Sequence, residues 1–394
     1  MTRDKWSDSG EKIKQLRAQE VYQLTSEALQ THFGLDMHNS MYDAPDIWDV
    51  LIGAAVKQMT IEMACELLED APSPNTVRKM VAHLLGGREK LVELEDAVNG
   101  LLVERLPKNL LRQALPCAVD ITEIPYHGRY GEGDEGVRRG RAKHGTTHFH
   151  CYATLYTVKN NKRYTLAMTL MRTSDKALDV LKRLLAQGKR LGLRLKRLFL
   201  DRGFDNNAVV AFLKLQPFPT IMPLTVRGKT GGTRALLTGR KSYQTTYTRS
   251  SLRYGEQTFP VYVVCKYSKG HYKRRGVWRF AYVVIGELKM QPHQIFEEYR
   301  RRFGIETSYR LMNTVRARTT STSVPLRLFY VALALLLLNV WSFLKWHHLY
   351  IPNHRGPRQV LHHLLPLARY RLWLWEMVKR RLTVSLELYV PLSV

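Results

Sequence analysis

Three acidic residues stand where carboxylates are unusual. Asp120 interrupts an otherwise apolar run, CAVDITEI, that reads as a strand. An unpaired buried charge is costly there, so a ligand is worth seeking. Asp201 follows Leu198, Phe199 and Leu200 and precedes Arg202-Gly203-Phe204. It marks a strand end, and the carboxyl ends of strands in open α/β sheets are where ligands bind. Taken singly, either residue also reads as a salt-bridged or capping aspartate. Glu306 has informative neighbours, because residues three, four and seven apart share one face of a helix. Tyr299, Arg302, Glu306, Tyr309 or Arg310, and Asn313 satisfy that spacing on a long helix predicted over 292–318. One carboxylate among an aromatic ring and cationic groups suits a site that holds a metal and grips phosphates. A solvated charged face explains Arg300 and Arg301, but it requires neither Tyr299 nor Glu306.

The elements that must position these acids follow a definite order. Strands are predicted over 117–124, 149–158 and 163–171, an amphipathic helix over 174–191, a short strand over 198–200, a helix over 206–215 and a strand over 220–224. Three strands, helix, strand, helix, strand is the order of a ribonuclease H-like fold. Residues 226–288 are rich in Gly, Thr, Tyr and basic residues, with alternating strands at 258–266 and 277–285. The expected class is α/β, a ribonuclease H-like catalytic core with a β-rich insertion, preceded by an all-α N-terminal DNA-binding region. The expected divisions are a helical region over 1–110, core over 111–225, insertion over 226–288, core with the Glu306 helix over 289–345, and a basic helical tail over 346–394 carrying Trp373 and Trp375. Within the first, 60–85 reads as two helices joined at Pro72 and Pro74, with Ser73 or Asn75 capping the second. This has the shape of a helix-turn-helix, whose exposed Arg78 and Lys79 would face DNA. A plain helical hairpin reads the same way.

Composition points to the same partner. The chain of 394 residues has 61 Lys and Arg against 34 Asp and Glu, a net charge of +27. So much like charge is self-repelling unless a polyanion screens it, and nucleic acid is the leading candidate. The charge is interleaved with apolar segments, which suggests a folded surface and not a basic tail. Residues 328–344 form a nearly uncharged 17-residue run. At about 1.5 Å per residue it reaches roughly 25 Å, short of a bilayer core of about 30 Å, so a buried helix is expected and no membrane span. Cys65, Cys117, Cys151 and Cys265 lie far apart with no CxxC pair, arguing against a zinc ribbon or a disulfide framework. The polar start, MTRDKWSDSGEKIKQ, lacks the apolar core of a signal peptide, so a cytoplasmic, nucleoid-associated location is expected. His144, His148 and His150 invite zinc, yet no fourth ligand is evident. The run 319–323, Thr-Thr-Ser-Thr-Ser, lacks the arginine-flanked nucleophile of a serine recombinase and reads as a DNA-touching loop.

The motifs around the acids carry a family resemblance. AVDITEIPYHG around Asp120, LFLDRGF around Asp201 and YRRRFGIETSYRLMN from Tyr299 resemble, in order, the three catalytic motifs of insertion-sequence DDE transposases. The last is similar to the Tyr-x2-Arg-x3-Glu-x6-Lys signature, or YREK, of the IS-four-like superfamily. One position departs: Asn313 stands where the signature has lysine, so a neutral amide replaces an ammonium. Arg310 or Arg316 lies close enough along the chain to compensate.

The resemblance implies that Asp120, Asp201 and Glu306 are catalytic and hold two Mg²⁺ or Mn²⁺ ions, roughly 4 Å apart, for in-line phosphoryl displacement. Hard oxygen ligands suit those ions. It implies contacts to DNA phosphate by Tyr299 and Arg302, with Arg310 and Asn313 further along. Some members form a hairpin at the transposon end and flip a base against an aromatic in the insertion, where Trp278 is the one tryptophan and so the candidate here. The expected partners are double-stranded DNA, as terminal inverted repeats and target, and a second copy of the chain on that DNA. The expected function is cut-and-paste DNA strand cleavage and strand transfer. The alternatives are a ribonuclease H-like DNA nuclease without strand transfer and a non-catalytic DNA-binding protein.

Overall fold

Two units share the chain, residues 1–107 with 309–394 and residues 108–308. The computed structural model describes residues 16–35, 41–129, 136–157, 163–267, 276–302, 307–351 and 359–383, with the backbone alone for 5–6, 12–13, 158–159, 162, 268–269, 275 and 303–306.

Local capping chemistry sets the helices of the first unit. These are α1 (Ala18–His32), α2 (Ala44–Lys57), α3 (Ile61–Glu66), α4 (Pro74–Leu85) and α5 (Leu91–Glu104). The Asp43 carboxylate accepts the Asp46 N–H at 3.1 Å ahead of α2, and the Thr60 hydroxyl accepts that of Met63 at 3.3 Å ahead of α3. Ser73 does the same for Thr76 at 3.2 Å, with Pro74 in the first turn, so Ser73 and not Asn75 caps α4. The helix before that joint ends at Glu66, short of the prolines. The N-terminal region is not all-α, since Lys5–Trp6 pairs antiparallel with Lys12–Ile13.

The second unit is a mixed sheet of nine strands. Its elements are β1 (Ala114–Pro125), β2 (Arg138–Lys143), β3 (Thr146–Lys159), β4 (Lys162–Met171), α6 (Ala177–Arg190), β5 (Arg194–Leu200), α7 (Asn207–Leu213), β6 (Thr220–Pro223), β7 (Tyr243–Ser251), β8 (Gly255–Lys269), β9 (Arg275–Ile285) and α8 (Pro292–Arg300). A further helix, α9 (Gly304–Met312), begins in this unit and ends in the other. The strand order is β2-β3-β1-β5-β6-β9-β8-β7, with β4 also paired to β3. β1, β3 and β4 are antiparallel, while β5 and β6 continue from β1 in parallel. The strands of residues 226–288 do not form a sheet of their own. β9 pairs antiparallel with β6, Val283 opposite Met222, so β7 to β9 extend the core sheet. Neither β2 nor β7 shows an apolar alternation in sequence; both are outer strands, β2 mostly exposed and β7 alternating half-buried with exposed residues. Charged and polar residues there suit a sheet edge.

Two helices, α10 (Val324–His347) and α11 (Leu367–Leu382), complete the first unit. α10 is long and apolar enough to cross a membrane by length and composition, yet 89% of its apolar 18-residue window is buried inside the protein. Helices apolar all round serve as core helices in large domains. Phe329 of α10 meets Phe33 edge-on at 5.4 Å between ring centroids and Trp48 at 6.1 Å, and the Asn339 amide donates to the Leu102 carbonyl at 2.9 Å. The cysteines are unpaired thiols.

A buried acid ties the ends of this unit together. Asp49 of α2 accepts the Tyr22 hydroxyl at 2.5 Å and the Arg381 Nε of α11 at 2.6 Å. Burial pushes its carboxyl up to about 6, against the opposing pull of Tyr22 and Arg381. A raised folded-state value means that the folded protein holds the extra proton between the ordinary 3.8 and about 6, so this group's contribution to stability falls as pH rises through that window. Asp49→Asn removes the titration. Its cost relative to wild type is expected to be larger at pH 4 than at pH 7, by at most about 3 kcal/mol, in urea unfolding at the two pH values.

Candidate active site

Strand register brings the two aspartates together. β1 and β5 run parallel with Val119 opposite Leu200, so Asp120 and Asp201 follow side by side. Asp120 lies within β1, opposite Thr154 of β3 on its other flank. Asp201 stands where β5 gives way to a 3-10 turn over Arg202–Phe204. The Asp120 side chain is 13% exposed and that of Asp201 48%. Asp120 Oδ1 accepts the Ile121 N–H at 2.9 Å. The same oxygen lies 2.9 Å from Arg302 Nη2, which is 3.5 Å from Asp201 Oδ1. Burial raises the Asp120 carboxyl to about 6, the nearby Arg302 charge opposing it and Asp201 adding to it.

The helix that carries the third acid is not the single long helix expected. α8 ends at Arg300, a 3-10 turn spans Arg301–Phe303, and α9 runs only to Met312. Gly304 is a poor helix former, by about 1 kcal/mol against alanine, and it sits at the junction. Side chains hold both sides of the break. Arg197 of β5 pairs with Glu298. Tyr299 donates its hydroxyl to the carbonyl of Leu200, the residue before Asp201, at 3.1 Å. Arg302 reaches both aspartates, and the Ser308 hydroxyl lies 2.7 Å from that of Tyr156 on β3. Glu306 falls between Arg302 and Ser308 on the backbone of α9; its side chain lies outside the described residues.

Several expected DNA contacts change standing. Tyr299, expected to touch phosphate, is only 4% exposed, and its hydroxyl already has a carbonyl acceptor. Arg302 is turned toward the acids and not toward solvent. Asn313 directly follows the last residue of α9, its N–H donating to the Tyr309 carbonyl at 3.1 Å, and its carbonyl accepts the Gln58 side-chain amide at 2.7 Å. Arg310 is exposed in the last turn of α9. Arg78 and Lys79 are exposed on α4, with Arg78 paired to Glu62 and donating to Asn75 at 2.6 Å. Trp278 is 62% exposed on β9. Among the described residues no three His, Cys, Asp or Glu gather as a metal site. His150 instead packs edge-on against Tyr126 at 5.1 Å between ring centroids.

Beside Asp201 opens a cleft of about 600 Å³. Its walls are aromatic, from Phe280, Tyr282, Phe296 and Tyr299, and cationic, from Arg202, Arg279, Arg300 and Arg302. Phe280 and Tyr282 lie two and four residues beyond Trp278, on the same face of β9. Of these cleft residues sequence reasoning singled out Tyr299 and Arg302 and missed the rest, and it missed the tie that holds the neighbouring loop. Asp205 is fully buried and accepts Arg249 Nη2 of β7 at 2.9 Å and the Thr225 N–H at 2.6 Å, while Arg249 Nε donates to Asn207 at 2.5 Å. A second acid four residues after Asp201 was the available signal. Nothing in the polar β7 segment pointed to Arg249.

Comparison with known families matches residues 113–339 to the transposase DDE domain. The chain belongs to the DDE transposase family. It is accordingly a DNA transposase, and the matched stretch contains all three acids. No curated protein sequence matches it. Among solved structures, the cryo-EM structure of a piggyBac transposase synaptic complex with hairpin DNA is similar at a TM-score of 0.57 and 12% identity, over 94% of this chain and 83% of that one. That likeness is one of fold.

The Asp205–Arg249 pair makes a direct test of how the transposase holds its β7 to β9 strands. Breaking a buried pair from one side leaves an uncompensated charge, so Arg249→Met is expected to destabilise the protein by about 3 kcal/mol in chemical unfolding.

Proposed function

We propose that this transposase has a ribonuclease H-like core that cuts transposon ends and joins them to target DNA, with Asp120, Asp201 and Glu306 holding divalent metal. The observation that carries this reading is the pairing of Asp120 with Asp201 at neighbouring parallel strands, already gathered around one cation, Arg302. The topology supports the fold: three antiparallel strands, β4-β3-β1, continue into parallel β5 and β6. Two carboxylates that draw a cation between them fit a hard dication, and Mg²⁺ or Mn²⁺ prefers such oxygen donors. Two such ions, when bound, polarise the scissile phosphate and activate water or a DNA 3′-hydroxyl.

The chain's own residues supply position and field. Asp120 and Asp201 are fixed by strand register, and the segment bearing Glu306 is pinned at Arg302 and Ser308. The basic and aromatic cleft beside Asp201 offers arginines to phosphate and rings to bases, chemistry that suits the strand next to the cut. Within the family, the YREK subgroup is the reading favoured by Tyr299, Arg302 and Glu306, with Asn313 as its departure. α3 and α4 present Arg78 and Lys79 outward, which supports end binding by this helical pair. The exposed Arg78–Glu62 pair is worth only about 0–1 kcal/mol, so phosphate can displace it. Cutting two ends together calls for two copies of the chain on DNA, in the nucleoid.

Two experiments follow. With Mg²⁺ and duplexes carrying the element's terminal repeats, Asp120→Asn, Asp201→Asn and Glu306→Gln are each expected to lower cleavage by about 10³-fold or more while duplex binding persists. Gels that separate nicks, hairpins and strand-transfer products also distinguish transposition from hydrolysis alone. Full cleavage by Glu306→Gln would remove Glu306 from the site. Arg78→Ala with Lys79→Ala is expected to weaken end binding and flatten its salt dependence by about two phosphate contacts, read from binding curves across a salt series.

A further inference from the structure

Arg302 stands in the place where the proposed function needs a metal. Arg302 is 5% exposed, and its Nη2 lies 2.9 Å from Asp120 and 3.5 Å from Asp201. The Tyr299 ring lies 5.9 Å from its Cζ and favours a cation on that side. A dication drawing on the same carboxylates would sit within a few ångströms of this buried positive charge, where repulsion is poorly screened. The two cations compete for one pair of acids.

Arg302 also has somewhere to go. It sits on the 3-10 turn Arg301–Phe303, whose flanks are tied to the sheet through Glu298, Tyr299 and Ser308, so its long side chain can swing while the backbone stays in place. It lines the cleft beside Asp201, where Arg202, Arg279 and Arg300 are its neighbours. Swinging into that cleft costs repulsion while the cleft is empty of anions, and becomes favourable once a phosphate lies among the arginines.

We infer that Arg302 is a resident counter-cation that opposes metal binding at Asp120 and Asp201 until a DNA phosphate draws it into the cleft, so that metal and DNA binding are positively coupled through this one side chain. The inference rests on the reading that those aspartates are metal ligands. Such coupling is reciprocal: whatever factor DNA adds to metal affinity, metal adds to DNA affinity.

The test is Mn²⁺ titration of the full chain, read as free Mn²⁺ by electron paramagnetic resonance. Without DNA, Arg302→Gln is expected to bind Mn²⁺ at least tenfold more tightly than wild type. Arg302→Lys, which keeps a charge on a shorter reach, should fall between them and covers the case in which Arg302→Gln folds poorly. A terminal-repeat duplex is expected to tighten Mn²⁺ binding at least fivefold more in wild type than in Arg302→Gln. Thermal melting adds a further readout: Arg302→Gln melts lower than wild type without metal, and Mn²⁺ restores it. Equal or weaker Mn²⁺ binding by both variants, or a melting loss that Mn²⁺ does not restore, overturns the inference and assigns Arg302 a structural role. Asp120→Asn and Asp201→Asn run in the same titration keep the two readings apart. If they bind Mn²⁺ as wild type does, it is the metal site that fails, and the coupling falls with it.

Discussion

Like-charge repulsion between Asp120 and Asp201 is the constraint around which the second unit is organised. Parallel register places Asp120 in β1 beside Asp201, which directly follows the end of β5. A cation between them relieves that repulsion, and Arg302 supplies one. The buried guanidinium in turn needs a fixed backbone, which the ties on either side of it provide: Arg197 with Glu298, Tyr299 with the Leu200 carbonyl, and Tyr156 with Ser308. Each tie joins the α8–α9 segment to a strand, so the helices follow the sheet and not the reverse. Buried ionic pairs of this kind add little net stability, but removing one partner is severe, which makes them effective at fixing a single geometry.

The same logic recurs away from the acids. Asp205 and Arg249 join the loop after Asp201 to β7, and Asp49 with Arg381 joins α2 to α11 in the other unit. In a chain with 61 basic residues against 34 acidic ones, acids are the scarce partner. Among the described residues, basic side chains such as Lys79, Arg139 and Arg310 stay exposed, where a polyanion can be met.

Much of this was legible in the sequence because it depends on local chemistry. The apolar runs around Asp120 and before Asp201 fixed both strands, Ser73 and Pro74 fixed the start of α4, and the uncharged run at 328–344 fixed the buried α10. The ordered acidic motifs identified the family that the comparison bears out. What escaped was non-local. Helical spacing put Tyr299, Arg302, Glu306 and Asn313 on one continuous helix, but a 3-10 turn over Arg301–Phe303 interrupts it, and tertiary ties decide where. Tyr299 and Arg302 read as outward contacts because periodicity cannot say whether a polar tip will find a partner inside. The edge strands β2 and β7 were missed because sheet edges need no apolar alternation, and the residues after 226 join the core sheet through a pairing with β6 that no local pattern announces.

That last pairing makes the sheet a ruler. From β5, which ends just before Asp201, to β9, which carries Trp278 and Phe280, there are two strand steps, about 10 Å at roughly 4.8 Å each. Sliding β9 along β6 by two residues would shift its aromatic rings by roughly 6.6 Å relative to the acid, and sliding it by one would turn them to the opposite side of the sheet. The reach between the cutting position and those rings is thus graduated in whole residues, and only register changes can reset it.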